Sequence, residues 1–508
     1  MTLIAPGSPV AVIGAGTMGA GIAQVAAAAG PPVLLFDARD GAAAAAIAAI
    51  LERLDRSVEK GRTTAADRAA IAGRLSVGGS LAEAAPCRLV VEAIAEDLAA
   101  KRQLFAELEA ILADDAVLAT NTSSLSITAI AGGLSRPERC VGMHFFNPAP
   151  VMALVEVASG LATDPAVAEA VIATAARWGK RPVALRSTPG FIVNRVARPF
   201  YGEAFRLLEE GAADVATIDA LLSECGGFPM GPFELIDLIG NDVNLAVTRS
   251  VHQACHGDPR YSPSAMQEEM VAAGRLGRKT RRGYYDYAGG EKPAPATAAA
   301  AAPPARATVL GRSPLADIWA AMIAAAGIAV DRGAGDGDDL LIRLDGVDLA
   351  PTDGRLATER AAAGRPVVLF DLARDYRAAK RVALAPADQV PAAALAPAVG
   401  LLQACGKAVS ILDDCPGLVV MRSVVMIANG AVDLLQRRIA TAAAIDAAMR
   451  DGANYPAGPL AWAEAIGLPR VLAVIDNLAR LYGEDRYRAS PLLRRRVLAE
   501  KGFAASVR

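Results

Sequence analysis

Residues 10–23 read VAVIGAGTMGAGIA, a short apolar run that leads directly into a glycine-rich hexapeptide. The apolar run predicts a buried strand, and the residues after the glycines predict a helix. In this setting Gly14 makes a tight turn, Gly16 lets the backbone approach a pyrophosphate, and Gly19 lets the helix pack closely on the strand. The stretch therefore predicts the first strand–turn–helix of a dinucleotide-binding fold.

A second apolar run at 33–36 ends in Asp37, which follows Gly19 by eighteen residues. A carboxylate at that point accepts hydrogen bonds from the adenosine ribose, which favours NAD over NADP. Two alternatives remain at this stage. The hexapeptide can be an ordinary glycine-rich turn, and Arg39, close to Asp37, can accept a 2′-phosphate.

The same alternation of short apolar runs and longer helical patterns continues through the first 186 residues. It is typical of a parallel, doubly wound sheet. From Pro189 to about Tyr287 the pattern is helical, and residues 288–306, rich in Pro and Ala, predict a linker. Strands are predicted at 10–13, 33–36, 88–91, 117–120, 140–145 and 151–157.

After the linker the pattern starts again. Residues 309–330 have the pattern of a strand, a turn and a helix, and RPVVLFD at 365–371 predicts another strand. At a constant offset of 227 and without a gap, Trp178–Gly240 then matches Cys405–Gly467. Within that match PGFIVNR returns as PGLVVMR, so that Met421 stands where Asn194 stands. An ungapped match of this length indicates a duplicated helical domain.

Composition limits the classes of function. The chain has 508 residues, 53% hydrophobic and 21% charged, with a net charge of −2, so we expect neither a nucleic-acid partner nor an acidic membrane surface. Its six cysteines form no C-x-x-C pair and have no zinc-like spacing with the three histidines. From this spacing we expect no metal site. We also expect a cytoplasmic protein with reduced thiols, because MTLIAPGSPV has no basic signal-peptide region.

Two motifs follow predicted strands at their carboxyl ends, where ligands bind in open α/β sheets. His144 opens HFFNP, and Glu156 lies in the apolar run VMALVEV, where an unpaired carboxylate would be costly. Pairing solves both problems, because the carboxylate would fix the imidazole tautomer and stabilise the imidazolium. The alternatives are a structural histidine and a strand-edge carboxylate that faces water. NTSSLS at 121–126 is the second motif, although such loops are often only turns or caps.

Taken in order, a set of motifs resembles the L-3-hydroxyacyl-CoA dehydrogenase family across residues 8–287. The layout of the whole chain resembles the long bacterial form associated with phenylacetate catabolism. The resemblance implies NAD-dependent oxidation of an L-3-hydroxyacyl-CoA to the 3-ketoacyl-CoA, in phenylacetate or fatty-acid catabolism, with 3-hydroxyadipyl-CoA or 3-hydroxybutyryl-CoA as substrate. The motifs are GAGTMGAGIA, the strand-end Asp37, VVEAIAED, TNTSSL, HFFNPAPVMALVEV, TPGFIVNR, PMGPFELIDLIG and GRKTRRGYYDY.

The resemblance also implies a domain order. A Rossmann-type doubly wound domain is followed by two all-α domains like that of 6-phosphogluconate dehydrogenase, with a degenerate Rossmann-like segment between them. The predicted divisions are a NAD-binding domain at 1–187, a first helical domain at 188–287, the linker at 288–306, the degenerate segment at 307–413 and a second, non-catalytic helical domain at 414–508.

Carried over position by position, the resemblance implies that His144 is the general base and Glu156 its partner. Ser123 would contact both substrate and nicotinamide, and Asn194 would be the amide that the helical domain contributes to the cleft. Lys60 matches a family lysine near coenzyme A, although the residues of its helix, with acids and bases at the same spacing, favour a solvated helix with many ion pairs. The residues that would bind NAD are Gly14, Gly16, Thr17, Met18, Gly19, Asp37, Glu96, Lys101, Asn121, Ser123 and Lys279.

Two other classes of protein remain. One is a non-catalytic NAD- or CoA-binding protein similar to a lens crystallin. The other is a β-hydroxyacid dehydrogenase with a catalytic lysine, where this chain has Asn194. An ω-carboxylated acyl chain would need a cation, for which Arg195 and Arg198 are candidates by position only.

The second half is predicted to have no active site. It lacks HFFNP, and Ser313 and Ala316 stand at the positions of Gly16 and Gly19. In the family's short members the helical domain pairs with that of another subunit. We therefore expect the second helical domain to cover the first within one chain, as a pseudo-dimer with Met421 as core filler, and a homo-oligomer is also open.

Overall fold

The computed structural model describes residues 3–335, 340–362 and 364–504. The contacts divide the chain into two compact units, the first comprising Met1–Arg195 and Arg437–Ala453, the second Val196–Gln436 and Asn454–Arg508. All predicted site residues lie within the described ranges. The first two and last four residues of the predicted domains lie outside them. The predicted boundaries between domains stay predictions. Within the described ranges, no helix combines the length and the apolar character needed to cross a membrane.

An eight-stranded sheet forms the core of the first unit. Its strands are β1 (Val10–Ile13), β2 (Val33–Phe36), β3 (Leu75–Val77), β4 (Leu89–Glu92), β5 (Val117–Thr120), β6 (Cys140–Phe145), β7 (Leu154–Ser159) and β8 (Arg181–Arg186). They lie in the order β3-β2-β1-β4-β5-β6-β7-β8, and β6 and β7 are antiparallel whereas the other neighbours are parallel. The helices along this stretch are α1 (Thr17–Ala29), α2 (Ala42–Glu59), α3 (Ala65–Ala72), α4 (Leu98–Ile111), α5 (Ile127–Ala131), α6 (Pro165–Arg177) and α7 (Val193–Val196).

This sheet confirms the predicted doubly wound fold. Every strand predicted in the first 186 residues is present, and the bounds of β4 and β7 differ from the prediction by one to three residues. Two strands were not predicted. Strand β3 has only three residues, none of them buried, and β8 reads RPVALR, in which arginine and proline interrupt the apolar pattern.

The second unit contains a second sheet, and helices come before and after it in the sequence. The helices before the sheet are α8 (Arg198–Glu209), α9 (Val215–Ala220), α10 (Pro232–Ile239), α11 (Asn241–Ala254) and α12 (Ala265–Ala272). The sheet region comprises β9 (Arg306–Leu310), α13 (Pro314–Ala325), β10 (Ala329–Gly333), β11 (Leu341–Arg343), β12 (Asp348–Pro351), α14 (Ala357–Ala361), β13 (Val367–Phe370), β14 (Arg381–Pro386), α15 (Ala392–Ala404) and β15 (Ala408–Ile411). After it come α16 (Val420–Gln436), α17 (Ala442–Ala453), α18 (Pro459–Ile466), α19 (Leu468–Tyr482) and α20 (Pro491–Leu498), of which α17 belongs to the first unit.

The second sheet has seven strands in the order β10-β9-β11-β12-β13-β14-β15. The segment predicted as a linker has no helix or strand before its last residue, Arg306, which begins β9, and part of it lies along this sheet. The Ala298 N–H donates to the Val409 carbonyl at 2.8 Å, and the Ser410 hydroxyl donates to the Ala296 carbonyl at 2.6 Å. The segment is therefore bound to the second sheet along part of its length.

The repeated heptapeptide forms the same turn in both copies. Gly190 and Phe191 have φ of 70° and 48°, and Gly417 and Leu418 have φ of 75° and 54°. A bulky residue with positive φ is strained and persists only where the surroundings hold it. Phe191 and Leu418 are both fully buried, so packing holds each turn in this conformation.

A buried carboxylate accepts the N–H groups that follow each turn. In the first copy Glu156 accepts from Ile192 at 2.9 Å and Val193 at 3.0 Å. In the second copy Asp371 accepts from three successive residues, Val419, Val420 and Met421, at 2.7 to 3.0 Å. The first turn of the helix that follows is thereby satisfied in both copies.

The two carboxylates come from different strands. The offset of 227 places Asp371 at the position of His144, and Ala383 at that of Glu156. The sheets agree with this alignment, because His144 pairs with Glu156 across β6 and β7, and the Asp371 N–H donates to the Ala383 carbonyl at 3.1 Å. The second copy therefore satisfies its turn with a carboxylate that stands where the first copy has its histidine.

Replacing Asp371 with Ala should lower the free energy of unfolding, measured by urea denaturation. Each buried N–H left without an acceptor costs roughly 1–3 kcal/mol, so for the three N–H groups that Asp371 accepts we expect a loss of about 3 kcal/mol or more. Burial raises the pKa of Asp371 to about 6 against the partly opposing effect of its backbone donors. A raised folded-state pKa means that the wild type loses stability as pH rises towards 6. The difference in free energy of unfolding between the wild type and Asp371→Ala should therefore be larger at pH 5 than at pH 7.5.

Asp388→Ala provides the matched control, because Asp388 is exposed in the same region of the chain. It should change the free energy of unfolding by less than about 0.5 kcal/mol. An Asp371→Ala variant as stable as the control would contradict the structural role of Asp371.

Candidate active site

A cleft of about 790 Å³ opens at the carboxyl ends of β1 and β2. The glycine loop forms part of its wall in a way that requires glycine at two positions. A Cβ on Gly14, whose φ is 105°, would lie 2.5 Å from the Ala93 carbonyl oxygen, and one on Gly19 would overlap the Gly14 carbonyl oxygen. Gly16 faces open space within 4 Å, which leaves room for a bound group to approach the backbone. The predicted residues that line the cleft are Gly14, Gly16, Thr17, Met18 and Asp37.

Asp37 lies directly after β2 and is already engaged by two donors. Its Oδ2 accepts from the Ala15 N–H at 2.8 Å, and its Oδ1 accepts from Arg39 Nε at 3.0 Å. The Arg39 guanidinium beside it, together with the backbone donors, lowers the pKa of Asp37 to about 2. Asp37 is therefore ionised, and the Arg39 side chain, 73% exposed, can move away from it at little cost.

A buried ion pair that the sequence analysis missed lies beneath the next part of the cleft. Glu92, the last residue of β4, is 0% exposed and its Oε1 lies 2.6 Å from Lys101 Nζ. The Thr120 hydroxyl donates to the other oxygen of Glu92 at 2.7 Å. Lys101, predicted to contact NAD, is itself only 1% exposed and directs its ammonium at Glu92, with Glu96 Oε2 3.4 Å away. The sequence pattern that indicated a buried partner for Glu156, a lone carboxylate in an apolar strand, is also present at Glu92 and could have predicted this pair.

Glu96 fixes the loop that carries Ser123. One of its oxygens, Oε1, accepts the Thr122 hydroxyl at 2.5 Å, the Ser123 N–H at 3.1 Å and the Ser124 N–H at 3.2 Å. Burial alone would raise the pKa of Glu96, but the hydrogen bond from Thr122 and the charge of Lys101 lower it on balance. An ionised Glu96 therefore sets the backbone conformation of the loop.

The predicted histidine–glutamate pair is formed. His144 Nδ1 lies 2.7 Å from Glu156 Oε2, and both side chains are buried. The imidazole packs against Phe146 and Phe191, with ring centroids 4.5 and 5.7 Å away. A carboxylate oxygen accepts hydrogen bonds, so Nδ1 carries the proton of this bond. Nε2 of the neutral imidazole then carries the lone pair that can take a proton. Because Oε1 of Glu156 is held by the turn of the repeat, the orientation of the pair is fixed by the fold.

The other predicted site residues of the first unit lie at the same end of the sheet. Strands β5 and β6 are parallel, with Thr120 opposite Gly142, so Ser123, just after β5, and His144, near the carboxyl end of β6, lie at the same end of the sheet. Asn121 joins the two strand ends, since its Oδ1 accepts the Phe145 N–H at 2.8 Å. Asn194 is half-buried in the first turn of α7, directly after the residues that donate to Glu156.

Two predicted lysines lie elsewhere. Lys60 is exposed at the end of α2, a helix that also carries the ion pair of Arg56 and Glu52 at 3.0 Å. Lys279 belongs to the second unit, where its ammonium lies 2.5 Å from Asp242 Oδ1. The roles of both lysines stay predictions.

Two arginines had been suggested by position as partners of an ω-carboxylate. Arg195 donates to the Thr188 hydroxyl at 3.0 Å. Arg198, in the second unit, donates to the Thr248 hydroxyl at 2.9 Å and lies over the Tyr201 ring at 4.9 Å. Both are buried, and their suggested role stays a prediction.

Three family models match most of the chain. The NAD binding domain of 3-hydroxyacyl-CoA dehydrogenase matches residues 9–188, and the C-terminal domain of the same enzyme matches twice, at 190–287 and 417–506. Between the two, the reduced Rossmann-fold domain of 3-hydroxybutyryl-CoA dehydrogenase matches residues 349–416.

Individual relatives match over the whole chain or over its first half. The 3-hydroxyadipyl-CoA dehydrogenase of Escherichia coli K12 is 45% identical over 495 residues, 97% of this chain and 98% of its own. Human mitochondrial hydroxyacyl-coenzyme A dehydrogenase is 40% identical over 284 residues, 55% of this chain and 90% of its own. The crystal structure of 3-hydroxybutyryl-CoA dehydrogenase from E. coli K12 superposes with a TM-score of 0.89 at 44% identity, covering 97% of this chain and 98% of that one.

Proposed function

This chain belongs to the 3-hydroxyacyl-CoA dehydrogenase family, and from that premise we propose that it oxidises an L-3-hydroxyacyl-CoA to the 3-ketoacyl-CoA with NAD as the acceptor. The observation that carries this function is the buried hydrogen bond of 2.7 Å between His144 Nδ1 and Glu156 Oε2. It gives the chain a general base of fixed tautomer at the ligand-binding end of a dinucleotide-binding sheet.

The proposed mechanism assigns one task to each residue. A bound NAD would supply the hydride acceptor for C3 of the substrate. His144 takes the proton of the 3-hydroxyl group at Nε2, and Glu156 stabilises the resulting imidazolium. Ser123 donates a hydrogen bond to the reacting oxygen, and Asn194 positions the thioester side. The general base should contribute on the order of 10²–10⁴-fold to the rate.

NAD would be held by the glycine loop and the cleft beside it. Gly16 admits the pyrophosphate to the amino end of α1, and Asp37 accepts the ribose hydroxyls. We propose that Glu96 and Lys101 act partly through the loop they fix, and that Asn121 and Ser123 present that loop to the nicotinamide. Thr17, Met18 and Lys279 complete the proposed set of contacts.

The acyl group is proposed to be short. The curated E. coli relative is named for 3-hydroxyadipyl-CoA and the E. coli crystal structure for 3-hydroxybutyryl-CoA, and turnover of both substrates in parallel would show which one this chain prefers. The crystallin-like alternative loses support, since the relatives are named as dehydrogenases and His144, Glu156, Ser123 and Asn194 are all present. We also propose a cytoplasmic location.

Replacing His144 with Gln should lower kcat by at least about 10²-fold, because glutamine cannot take the hydroxyl proton. NADH formation from 3-hydroxybutyryl-CoA measures kcat, and a fluorescence titration with NADH shows that the nucleotide still binds. His252→Gln is the control, since His252 lies on α11 in the second unit. Turnover of His144→Gln close to that of the control would contradict the mechanism.

The wild type should have a higher kcat/KM with NAD than with NADP, because the ionised Asp37 repels a 2′-phosphate. Asp37→Ala should reduce the difference in kcat/KM between NAD and NADP, since it removes that repulsion and releases Arg39 for the phosphate. Arg39→Ala should increase this difference. A wild-type enzyme that prefers NADP would show that Arg39, and not Asp37, decides the choice of cofactor.

We further propose that the two helical copies form a pseudo-dimer. Within the second unit α8 packs on α16, where the guanidinium of Arg422, 0% exposed, lies 2.8 Å from both Glu203 Oε2 and Glu210 Oε2. Removing one member of such a buried pair is strongly destabilising, which makes this contact specific. Met421, beside it, is buried, which fits core filler.

Reciprocal contacts support the same proposal. In the second unit Glu224, just after α9, lies 3.0 Å from Arg381 on β14. In the first unit Asp451, on α17, lies 3.2 Å from Arg181 on β8. Glu224 and Asp451 are equivalent at the offset of 227, so each copy contributes the same part of its helical domain to a sheet. The arginines are not equivalent positions, since Arg381 corresponds to Leu154 and Arg181 to Ala408, so the correspondence is between surfaces and not between residue pairs. Contact of equivalent surfaces is typical of an isologous interface.

A fragment of residues 1–287 should self-associate or aggregate, because it exposes the face of α8 that α16 covers and leaves Glu203 without Arg422. Size-exclusion chromatography with light scattering measures its mass, with the full-length chain as reference. A monomeric fragment with full activity would rule out the pseudo-dimer.

A further inference from the structure

The segment Arg437–Ala453 comes from the second helical copy but belongs to the first unit. It is attached at both ends. The Ile439 carbonyl accepts the N–H of Arg186, at the end of β8, at 2.9 Å, and Asp451 pairs with Arg181 at the start of that strand. Helix α17 therefore lies on β7 and β8, and β7 is the strand that carries Glu156.

Gly452, near the end of α17, is the point of closest approach. A Cβ built on it would overlap Leu154 Cδ2 and lie 3.1 Å from Val193 Cγ2. Leu154 is completely buried and Val193 nearly so, and a Cβ at 452 would have to displace the end of the Leu154 side chain and press on Val193. The position therefore holds glycine because the helix approaches the strand and the turn too closely for a side chain.

The contact leads to the catalytic pair in two steps. Val193 donates its N–H to Glu156 Oε1 at 3.0 Å, and Glu156 Oε2 binds His144 Nδ1 at 2.7 Å. Val193 also directly precedes Asn194 in the chain. A displacement of Val193 would shift both the carboxylate that orients the base and the amide of the cleft.

The duplicated helix does not itself require glycine here. The equivalent residue of the first copy, at the offset of 227, is Cys225. It is buried, and its thiol donates to the Leu372 carbonyl at 3.2 Å. The first helical copy thus has a larger side chain at this position, where it contacts the second sheet, and that sheet has Asp371 at the position of His144.

We propose that Gly452 is a positioning residue for the reaction, through which the non-catalytic second copy holds the turn that orients Glu156, His144 and Asn194. This inference rests on the proposed function. It assigns the second half a part in catalysis in addition to covering the helical domain.

Gly452→Ala and Gly452→Cys test it in the full-length chain. A side chain at 452 should push on Val193, and a displacement of a fraction of an ångström at the base should lower kcat by about tenfold or more. The KM for NAD and the number of NADH sites should not change, because neither Leu154 nor Val193 lines the nucleotide cleft. Gly430→Ala on α16 is the control, since a Cβ there meets nothing within 4 Å, and its kcat should equal that of the wild type.

A compensating change separates positioning from general instability. Leu154→Val removes the methyl group that a Cβ at 452 would overlap, so the double variant Leu154→Val/Gly452→Ala should recover most of the lost kcat. Loss of stability alone would lower Tm and the number of NADH sites but leave kcat per site unchanged.

Three results would overturn the inference or locate the error elsewhere. A kcat per NADH site within about twofold of the wild type in both Gly452 variants would overturn it. If neither variant folds, Asp451→Ala decides, because it releases the end of α17 without adding an atom, and an unchanged kcat would overturn the proposal. A wild type that binds NADH but turns over no 3-hydroxyacyl-CoA would instead refute the proposed function.

Discussion

The structure depends on one recurring requirement, which is a buried carboxylate beneath a strained Pro-Gly turn. The turn places successive N–H groups at the start of a helix inside the protein, where they need an acceptor. Glu156 meets this need with one oxygen, and its other oxygen binds His144. A single side chain thus fixes both the entry into the helical domain and the orientation of the proposed base.

The second copy separates the two tasks of that carboxylate. Asp371 satisfies the equivalent turn from the position that corresponds to His144, and Ala383 stands where Glu156 would be. The turn, with its positive φ angles, is retained although the histidine is lost. The carboxylate is therefore a requirement of the fold, whereas the histidine is a requirement of the chemistry alone.

The sequence predicts the sheet and the catalytic pair well because their signals are local. Apolar runs mark the strands, and a lone carboxylate in such a run, as at Glu156, indicates a buried partner. It predicts less well where the answer depends on the direction of a side chain. Lys101 matches a family motif, yet its ammonium points into the sheet at Glu92, which no motif placed there. The assignment of α17 to the first unit also depends on contacts between residues far apart in the chain, and no local pattern encodes them.

Fusion of two copies in one chain changes what substitution can do at their interface. In a homodimer the two-fold-related positions hold the same residue, so a change that suits one site is imposed on the other. In this chain the two positions are independent, as Gly452 and Cys225 show. The surface that contacts Leu154 and Val193 can therefore change independently of its counterpart, which contacts Leu372. Linkage also keeps both copies at a high effective concentration, so the interface need not bind tightly enough to hold separate subunits together. Under these conditions one copy can lose its base, its amide and its glycine loop while it keeps the surfaces that support the other.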